Sequence, residues 1–550
     1  MAQSLRATQR APRSCRACSS RKVKCDKAVP CSTCIKRGEA DSCTREVVIV
    51  RGEVTMWNDA PHKPTYEELM RENQRLRQDV EGSRSPEAAA VWPRRAPHVD
   101  QYEEGLERRL WDSLSVASAL VRPTVAAWED IVLPTSEISN QLIAYDKTWN
   151  IWVHYAVEYP KFQEECELFI NAVDQGTPLE TTDPSWMAVY FAVLSAALLM
   201  IGDDEGGQTG LPHDFDHRKA SRNWYDASIF CLYRADFLRI PHIRTIQAVA
   251  VLGMCFNNWG DTELGQHMWD CALRVGQRIG LNTPFSHVAG PFLSAETQHR
   301  LWWTLVICDW LNTPYGPTIH DVDFIVPLPS ATFPDLEEEK DTYHRAHYHI
   351  FMARSATVVY RFRAGLRSGV KSLDEIVKLV RIADEDLAAI IGSLPPHLQP
   401  DADIENEDLR RLELAQPWIR WQRHDITLVL LHFRLRIHRT LQTQWLLDPA
   451  TYNWARTVSL QSAMSIIWIN RNWDQPASMR KQWALSLHLF VAAILLLREC
   501  HSDLSGDIDE SYEALQAALN YLEEVKTWNL FANHAAKIVR ENMTIRGQVA

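Results

Sequence analysis

Six cysteines fall between positions 15 and 43 in the order C-x2-C-x6-C-x5-C-x2-C-x8-C. Half of the chain's 12 cysteines therefore sit within 29 residues. Cys166, Cys231, Cys255, Cys271, Cys308 and Cys500 are scattered singly through apolar stretches and read as small buried hydrophobes. The opening MAQSLRATQRAPR lacks the apolar core of a secretory signal, so a reducing compartment is expected, where clustered thiols are metal ligands rather than disulfides. Zinc takes four tetrahedral ligands at about 2.3 Å from sulfur, so six thiolates fill two such spheres if two sulfurs serve both metals. A core this small cannot fold on burial alone, and metal binding must supply the folding energy, on the order of 10–16 kcal/mol for a structural zinc site. The two halves are alike: C-x2-C, a basic stretch, then a closing cysteine. They predict short helices near 15–24 and 31–38. A disulfide knot and a redox or copper-binding thiolate cluster are the alternatives, but copper has no need of the basic run Arg21-Lys22-Val23-Lys24 beside it.

The charge distribution points the same way. The net charge of −12 by itself argues against a nucleic-acid partner. Residues 1–51, however, carry 12 Lys+Arg against 4 Asp+Glu, a balance of +8, which leaves −20 on the remainder. A small basic head on a large acidic body is the asymmetry of a nucleic-acid-binding module joined to a protein-interaction module.

Along the chain, residues 1–46 form the cysteine-rich head and residues 47–65 a connector, with 47–50 a short extended strand. Residues 66–81 (YEELMRENQRLRQDVE) have heptad spacing, with Leu69 and Leu76 at d and Tyr66, Asn73 and Val80 at a. An Asn at a fixes register in a parallel pair, so Leu69, Asn73, Leu76 and Val80 are the expected dimerisation residues of a short coiled coil in a homodimer. Two heptads are few, and a solvated single helix is the alternative. Residues 82–105 read as a flexible linker. From 106 to 545, helical periodicity broken by Gly/Pro loops predicts a large all-α regulatory domain, so the chain as a whole is expected to be mostly α. Trp186–Ile201 and Leu485–Leu497 are apolar but fall short of the ~20 residues a bilayer crossing needs, so no membrane association is expected and both read as central core helices.

The complete ligand spacing and the run Arg21-Lys22-Val23-Lys24-Cys25-Asp26 resemble the fungal Zn(2)-C(6) binuclear cluster DNA-binding domain. The resemblance implies two zinc ions per chain, held by Cys15, Cys18, Cys25, Cys31, Cys34 and Cys43. Cys15 and Cys31 would bridge the metals, Cys18 and Cys25 would complete one site, and Cys34 and Cys43 the other. It implies double-stranded DNA as partner, with Lys22 reading the guanines of a CGG triplet in the major groove. Arg21, Lys24, Lys27, Lys36 and Arg37 are then expected on phosphates, with Arg16 in either role. The linker length leaves the spacing of two triplets open.

The segment 150–330 resembles the fungal-specific transcription factor domain. The likeness rests on Gln266–Asn282, a helix ending in a Gly-Leu cap; on Glu296-Thr-Gln-His-Arg300-Leu-Trp-Trp303; and on Asp309, Gly316-Pro317 and Ile319–Pro329 in order. The family's Gly-Arg-Pro is here Gly316-Pro317, without the Arg. Read as packing, Leu301, Trp302, Leu305 and Cys308 recur at helical spacing, Trp302 and Trp303 belong in a core, Gly280 suits a left-handed helix cap, and Glu296 with Arg300 makes an i,i+4 ion pair.

Enzyme signatures are missing: there is no H-E-x-x-H, G-x-S-x-G or G-x-x-x-x-G-K-[ST]. The run His213-Asp-Phe-Asp-His217 and the acidic run at 335–341 read as polar loops. The expectation is a non-enzymatic nuclear transcription factor of RNA polymerase II genes, working with co-regulators or the transcription machinery on a metabolic or secondary-metabolite gene set. The alternative is a zinc-stabilised cofactor that acts through protein contacts without touching DNA.

Overall fold

A computed structural model describes residues 7–8, 14–27, 29–44, 49–50, 53–54, 101–201, 216–283, 293–312, 317–329, 342–369, 371–400, 402, 406–472, 477–500 and 508–547. The chain divides into two units, Met1–Ala90 and Val91–Ala550.

The first unit holds helices α1 (Arg16–Ser20) and α2 (Ser32–Ile35) and three two-residue strands, β1 (Ala7–Thr8), β2 (Ile49–Val50) and β3 (Glu53–Val54). β2 lies between a parallel β1 and an antiparallel β3. Helices of five and four residues are far below the length that is stable alone, so the sulfur cluster between them must hold them. Both stop short of the expected 24 and 38 for one reason. The chain turns through the left-handed region at Lys22 (φ +53°) and Gly38 (φ +68°). The Val23 N–H then bonds the Cys18 carbonyl at 3.1 Å, and the Glu39 N–H the Cys34 carbonyl at 3.0 Å. This is the same helix-closing motif twice. The Arg16 N–H bonds the Thr44 carbonyl at 2.7 Å and ties the two ends of the head together.

The secondary structure described in the second unit is all helical, and two apolar helices organise it. Its principal helices are α3 (Gln101–Leu120), α4 (Ser136–Tyr145), α5 (Tyr159–Asp174), α6 (Pro184–Met200), α7 (His217–Arg234), α8 (Ile243–Leu252), α9 (Thr262–Arg278), α10 (Ala295–Asn312), α11 (Thr342–Arg367), α12 (Leu373–Gly392), α13 (Trp418–Arg439), α14 (Pro449–Asn472), α15 (Trp483–Cys500), α16 (Ile508–Val525) and α17 (Leu530–Gly547). α3 begins at Gln101, inside the stretch 82–105 expected to be linker: its apolar face, Leu106, Leu110 and Leu114, is buried and extends the helix upstream of the expected boundary.

α6 is apolar on every side, and Ser185 through Met200 are all buried, as such a helix requires. α4, α7 and α8 surround it. Against α7 the approach is close because small residues face each other: the hydroxyls of Ser195 and Ser221 each donate to the other's backbone carbonyl at 2.9 and 3.0 Å, and Ser228 donates to the Ala188 carbonyl at 2.7 Å. α15 plays the same part among α3, α13, α14, α16 and α17. By length and composition α15 is apolar enough to cross a bilayer, but Leu485–Leu497 are buried inside the helical body.

α9 ends as expected. Gly280 has φ +76°, its N–H bonds the Gln277 carbonyl, and the Leu281 N–H bonds the Gly276 carbonyl at 2.8 Å. A Cβ on Gly276 would stand 3.0 Å from the Trp302 ring, so the bare backbone there seats that fully buried indole. Trp303 is buried beside it and donates to the Pro327 carbonyl, and the Asp309 carboxylate accepts from the backbone N–H groups of Thr318 and Ile319. The Glu296–Arg300 pair forms at 3.0 Å, with Arg300 almost wholly buried.

Candidate metal centre and nucleic-acid face

Each C-x2-C pair begins a helix in the same way. Cys15 and Cys31 are the N-caps of α1 and α2, and their Sγ atoms accept the N–H of Cys18 at 3.3 Å and of Cys34 at 3.4 Å. The first turn of each helix thereby brings its two sulfurs to one point. Cys43 closes the second half, where its Sγ accepts the Cys31 N–H at 3.3 Å.

The six sulfurs form two overlapping groups of four: Cys15, Cys18, Cys25 and Cys31, and Cys15, Cys31, Cys34 and Cys43. Within each group the sulfurs lie within 4.8 Å of one another. The Sγ–Sγ distances are 3.8 Å for Cys15–Cys31, 3.7 Å for Cys15–Cys34 and 3.5 Å for Cys18–Cys31. A tetrahedron of sulfurs at about 2.3 Å from zinc has edges of about 3.8 Å, whereas a disulfide needs about 2.05 Å. All six cysteines are free thiols, so the donor set fits zinc. Cys15 and Cys31 belong to both groups.

Those two thiols also differ from Cys18, Cys34 and Cys43 in acidity. Burial pushes Cys15 and Cys31 up, but the N–H groups of Cys18 and Cys34 and the neighbouring thiols outweigh it and leave both below the ordinary thiol value. Burial and the Cys15 and Cys31 thiols raise Cys18 to about 12. The Cys31 thiol and burial raise Cys34 as well, and burial raises Cys43.

Around this core the seven basic residues singled out in the sequence, Arg16, Arg21, Lys22, Lys24, Lys27, Lys36 and Arg37, are all exposed. Arg16 opens α1, while Arg21 and Lys22 close it and Lys36 and Arg37 follow α2. Arg21 is engaged within the head: its guanidinium bonds both carboxylate oxygens of Glu39, at 2.5 and 2.8 Å. That pairing raises the Arg21 pKa and lowers that of Glu39. Sequence reading missed Glu39, and it also missed Asp26, whose carboxylate accepts the Ser32 N–H at 2.9 Å. The seven-residue offset from each N-cap cysteine to Lys22 and to Gly38 was the signal that the halves share a fold. The expected dimerisation residues Leu69, Asn73, Leu76 and Val80 lie outside the described residues, as do Gly316 and the acidic run at 335–341. Of the 213–217 run, Asp216 and His217 are described, and Asp216 is the N-cap of α7.

Residues 13–47 match the fungal Zn(2)-Cys(6) binuclear cluster domain, and residues 144–420 match the fungal specific transcription factor domain. Among curated proteins, the aurofusarin cluster transcription factor aurR2 of Gibberella zeae is 26% identical over 323 residues, covering 54% of this chain and 44% of that protein. The transcriptional regulator AacuB of Aspergillus aculeatus is 21% identical over 163 residues, covering 30% of this chain and 22% of its own length. An uncharacterized transcriptional regulatory protein of Schizosaccharomyces pombe is 20% identical over 527 residues, covering 83% of this chain and 77% of its own. The matches to the first two therefore span less than half of those relatives' own lengths. Among solved structures, the K. lactis CBF3 core aligns with a TM-score of 0.48 and 12% identity, over 82% of this chain and 93% of that one. With both domains matched in order, and the second covering half of the chain, the protein belongs to the fungal transcription factors that join a Zn(2)-Cys(6) binuclear cluster to a fungal specific transcription factor domain.

Proposed function

We propose that the protein is a nuclear, zinc-dependent regulator that binds double-stranded DNA through its first unit and reads CGG-type triplets in the major groove. The observation that carries this is the pair of four-sulfur groups sharing Cys15 and Cys31, wrapped by seven exposed cations. When bound, two zinc ions would clamp six thiolates into one rigid core and supply the folding energy that helices this short lack. Cys15 and Cys31 would bridge the ions, and their lowered thiol pKa values suit sulfurs that must give up a proton to serve two metals.

Lys22 leaves the left-handed turn at the end of α1 as the base-reading side chain. Lys24, Lys27, Lys36 and Arg37 are placed to neutralise phosphates, with Arg16 in either role. Arg21, paired with Glu39 of the second half, sits at the edge of this face. Segment 66–81 pairs two copies through Leu69, Asn73, Leu76 and Val80, and the helical body addresses co-regulators or the transcription machinery. The aurofusarin-cluster regulator among the relatives supports a secondary-metabolite gene set as target.

The test uses the full-length zinc-loaded chain and duplexes carrying CGG triplets or scrambled sequence, titrated with salt. DNA binding through this face gives a log–log slope of about −0.9 per phosphate neutralised, together with tighter binding to the triplet duplex. A flat salt dependence with no triplet preference would instead favour a cofactor that works through protein contacts.

A further inference from the structure

The second unit holds a partly open cavity of about 250 Å³ between α9, α10, α11, α13 and α15. Its size is near the ~300 Å³ lower end of small-molecule pockets. The walls are mainly apolar and aromatic, with Trp269, Phe433, Met200 and Ile307 among them.

Its polar groups show what would fill it. His349, His432 and His488 line the cavity, each at least nine-tenths buried. His349 Nε2, His432 Nδ1 and His488 Nδ1 have no hydrogen-bond partner. Buried polar atoms are nearly always satisfied, and these three ring nitrogens face one cavity, where a single polar group entering it could reach them. The other His349 nitrogen bonds the Arg300 backbone, which leaves Nε2 as an acceptor waiting for a donor. The His432 and His488 rings lie 4.3 Å apart, and beside them Tyr348 donates to the Asp425 carboxylate.

We infer that this cavity is a binding site for a small, neutral, hydroxyl-bearing aromatic molecule, with the ring held by Trp269 and Phe433 and its hydroxyl satisfied by the buried histidines. A hydroxyl suits the site because it both donates and accepts, whichever tautomer His432 and His488 adopt. Burial keeps the histidines uncharged, with His349 and His488 held down to about 3, so no imidazolium is present to attract an anion. Binding here is independent of what the cysteine cluster contacts.

Equilibrium dialysis of the full-length zinc-loaded protein against 2-naphthol and naphthalene tests the site. 2-Naphthol is expected to bind saturably at one site per chain, with naphthalene at least tenfold weaker. His349→Phe keeps the ring and removes the lone pair; it should weaken 2-naphthol at least fivefold and leave naphthalene unchanged, as should His432→Phe if the first variant does not fold. Absence of saturable 2-naphthol binding, or equal affinity for the two compounds in the wild-type protein, overturns the assignment. DNA affinity, measured on the same preparation, is expected to be intact in both variants.

Discussion

Lys22 and Gly38 stand seven residues after Cys15 and Cys31, and both turn the chain through the left-handed region, at φ +53° and +68°. Glycine does this freely, whereas a lysine there is strained by roughly 1–2 kcal/mol. Strain held at one half of a pseudo-repeat and relieved at the other marks a position where the side chain matters more than the fold. Lys22→Gly is therefore expected to raise the stability of the zinc-loaded head by about 1 kcal/mol. It should also remove ~1–3 kcal/mol of discrimination between triplet and scrambled duplex. Lys22→Ala should lose the same discrimination without the gain in stability. Thermal melting and duplex titration of both variants check this, and a Gly variant less stable than wild type would refute it.

The two shared sulfurs set a second expectation. Cys15 and Cys31 belong to both four-sulfur groups, while Cys25 belongs to one and, of the six cysteines of the cluster, is the one that is not buried. Cys15→Ser or Cys31→Ser should empty both metal positions. Cys25→Ser should retain more zinc than either. Native mass spectrometry of the full-length variants reads the count directly, and equal zinc content in all three would contradict the shared-sulfur arrangement.

Glu39 restrains Arg21 at the edge of the basic face. Exposed pairs such as this one contribute little stability, so Glu39→Gln should fold normally. The freed guanidinium then becomes available to a phosphate. Affinity for scrambled duplex should rise, and the salt slope should steepen by about 0.9, the value for one added phosphate contact. An unchanged slope would mean that Arg21 faces away from the duplex.

The cluster was legible in the sequence because metal geometry dictates cysteine spacing, and the helical body because α6 and α15 carry long, mostly apolar runs. Gly280 was legible as a helix cap and Trp302 as core for the same local reasons. The early ends of α1 and α2 were not, since nothing in helix propensity requires a lysine to take the left-handed turn at position 22. Nor was the start of α3, where long-range burial of Leu106, Leu110 and Leu114 overrides a linker-like composition upstream. The cavity is invisible in the sequence because Trp269, His349, His432 and His488 come from four separate helices, and a lone histidine on an apolar helix carries no mark of its partners.

The last expectation concerns pH. Glu107 on α3 reaches across to α13 and bonds Arg436 at 2.8 Å and Arg439 at 2.6 Å. Burial pushes its carboxyl up, but the two guanidinium groups outweigh that and hold it down at about 2. A carboxylate with a depressed folded-state pKa stabilises the fold fully above its unfolded value, near 4.5, and loses that contribution as pH falls toward 2. At 1.36 kcal/mol per pH unit the contribution is at most about 3 kcal/mol. Glu107→Gln removes it and leaves two largely buried cations without their counter-ion, an outcome that typically costs ~3–5 kcal/mol. The variant should therefore be markedly less stable than wild type at pH 7 in urea unfolding, with the gap narrowing as both are titrated below pH 4. The Asp425 carboxyl, which burial pushes up to about 6, titrates in both proteins and cancels in the difference. A gap that stays constant from pH 7 down to pH 3 would show that Glu107 is not the group anchoring α3 to α13.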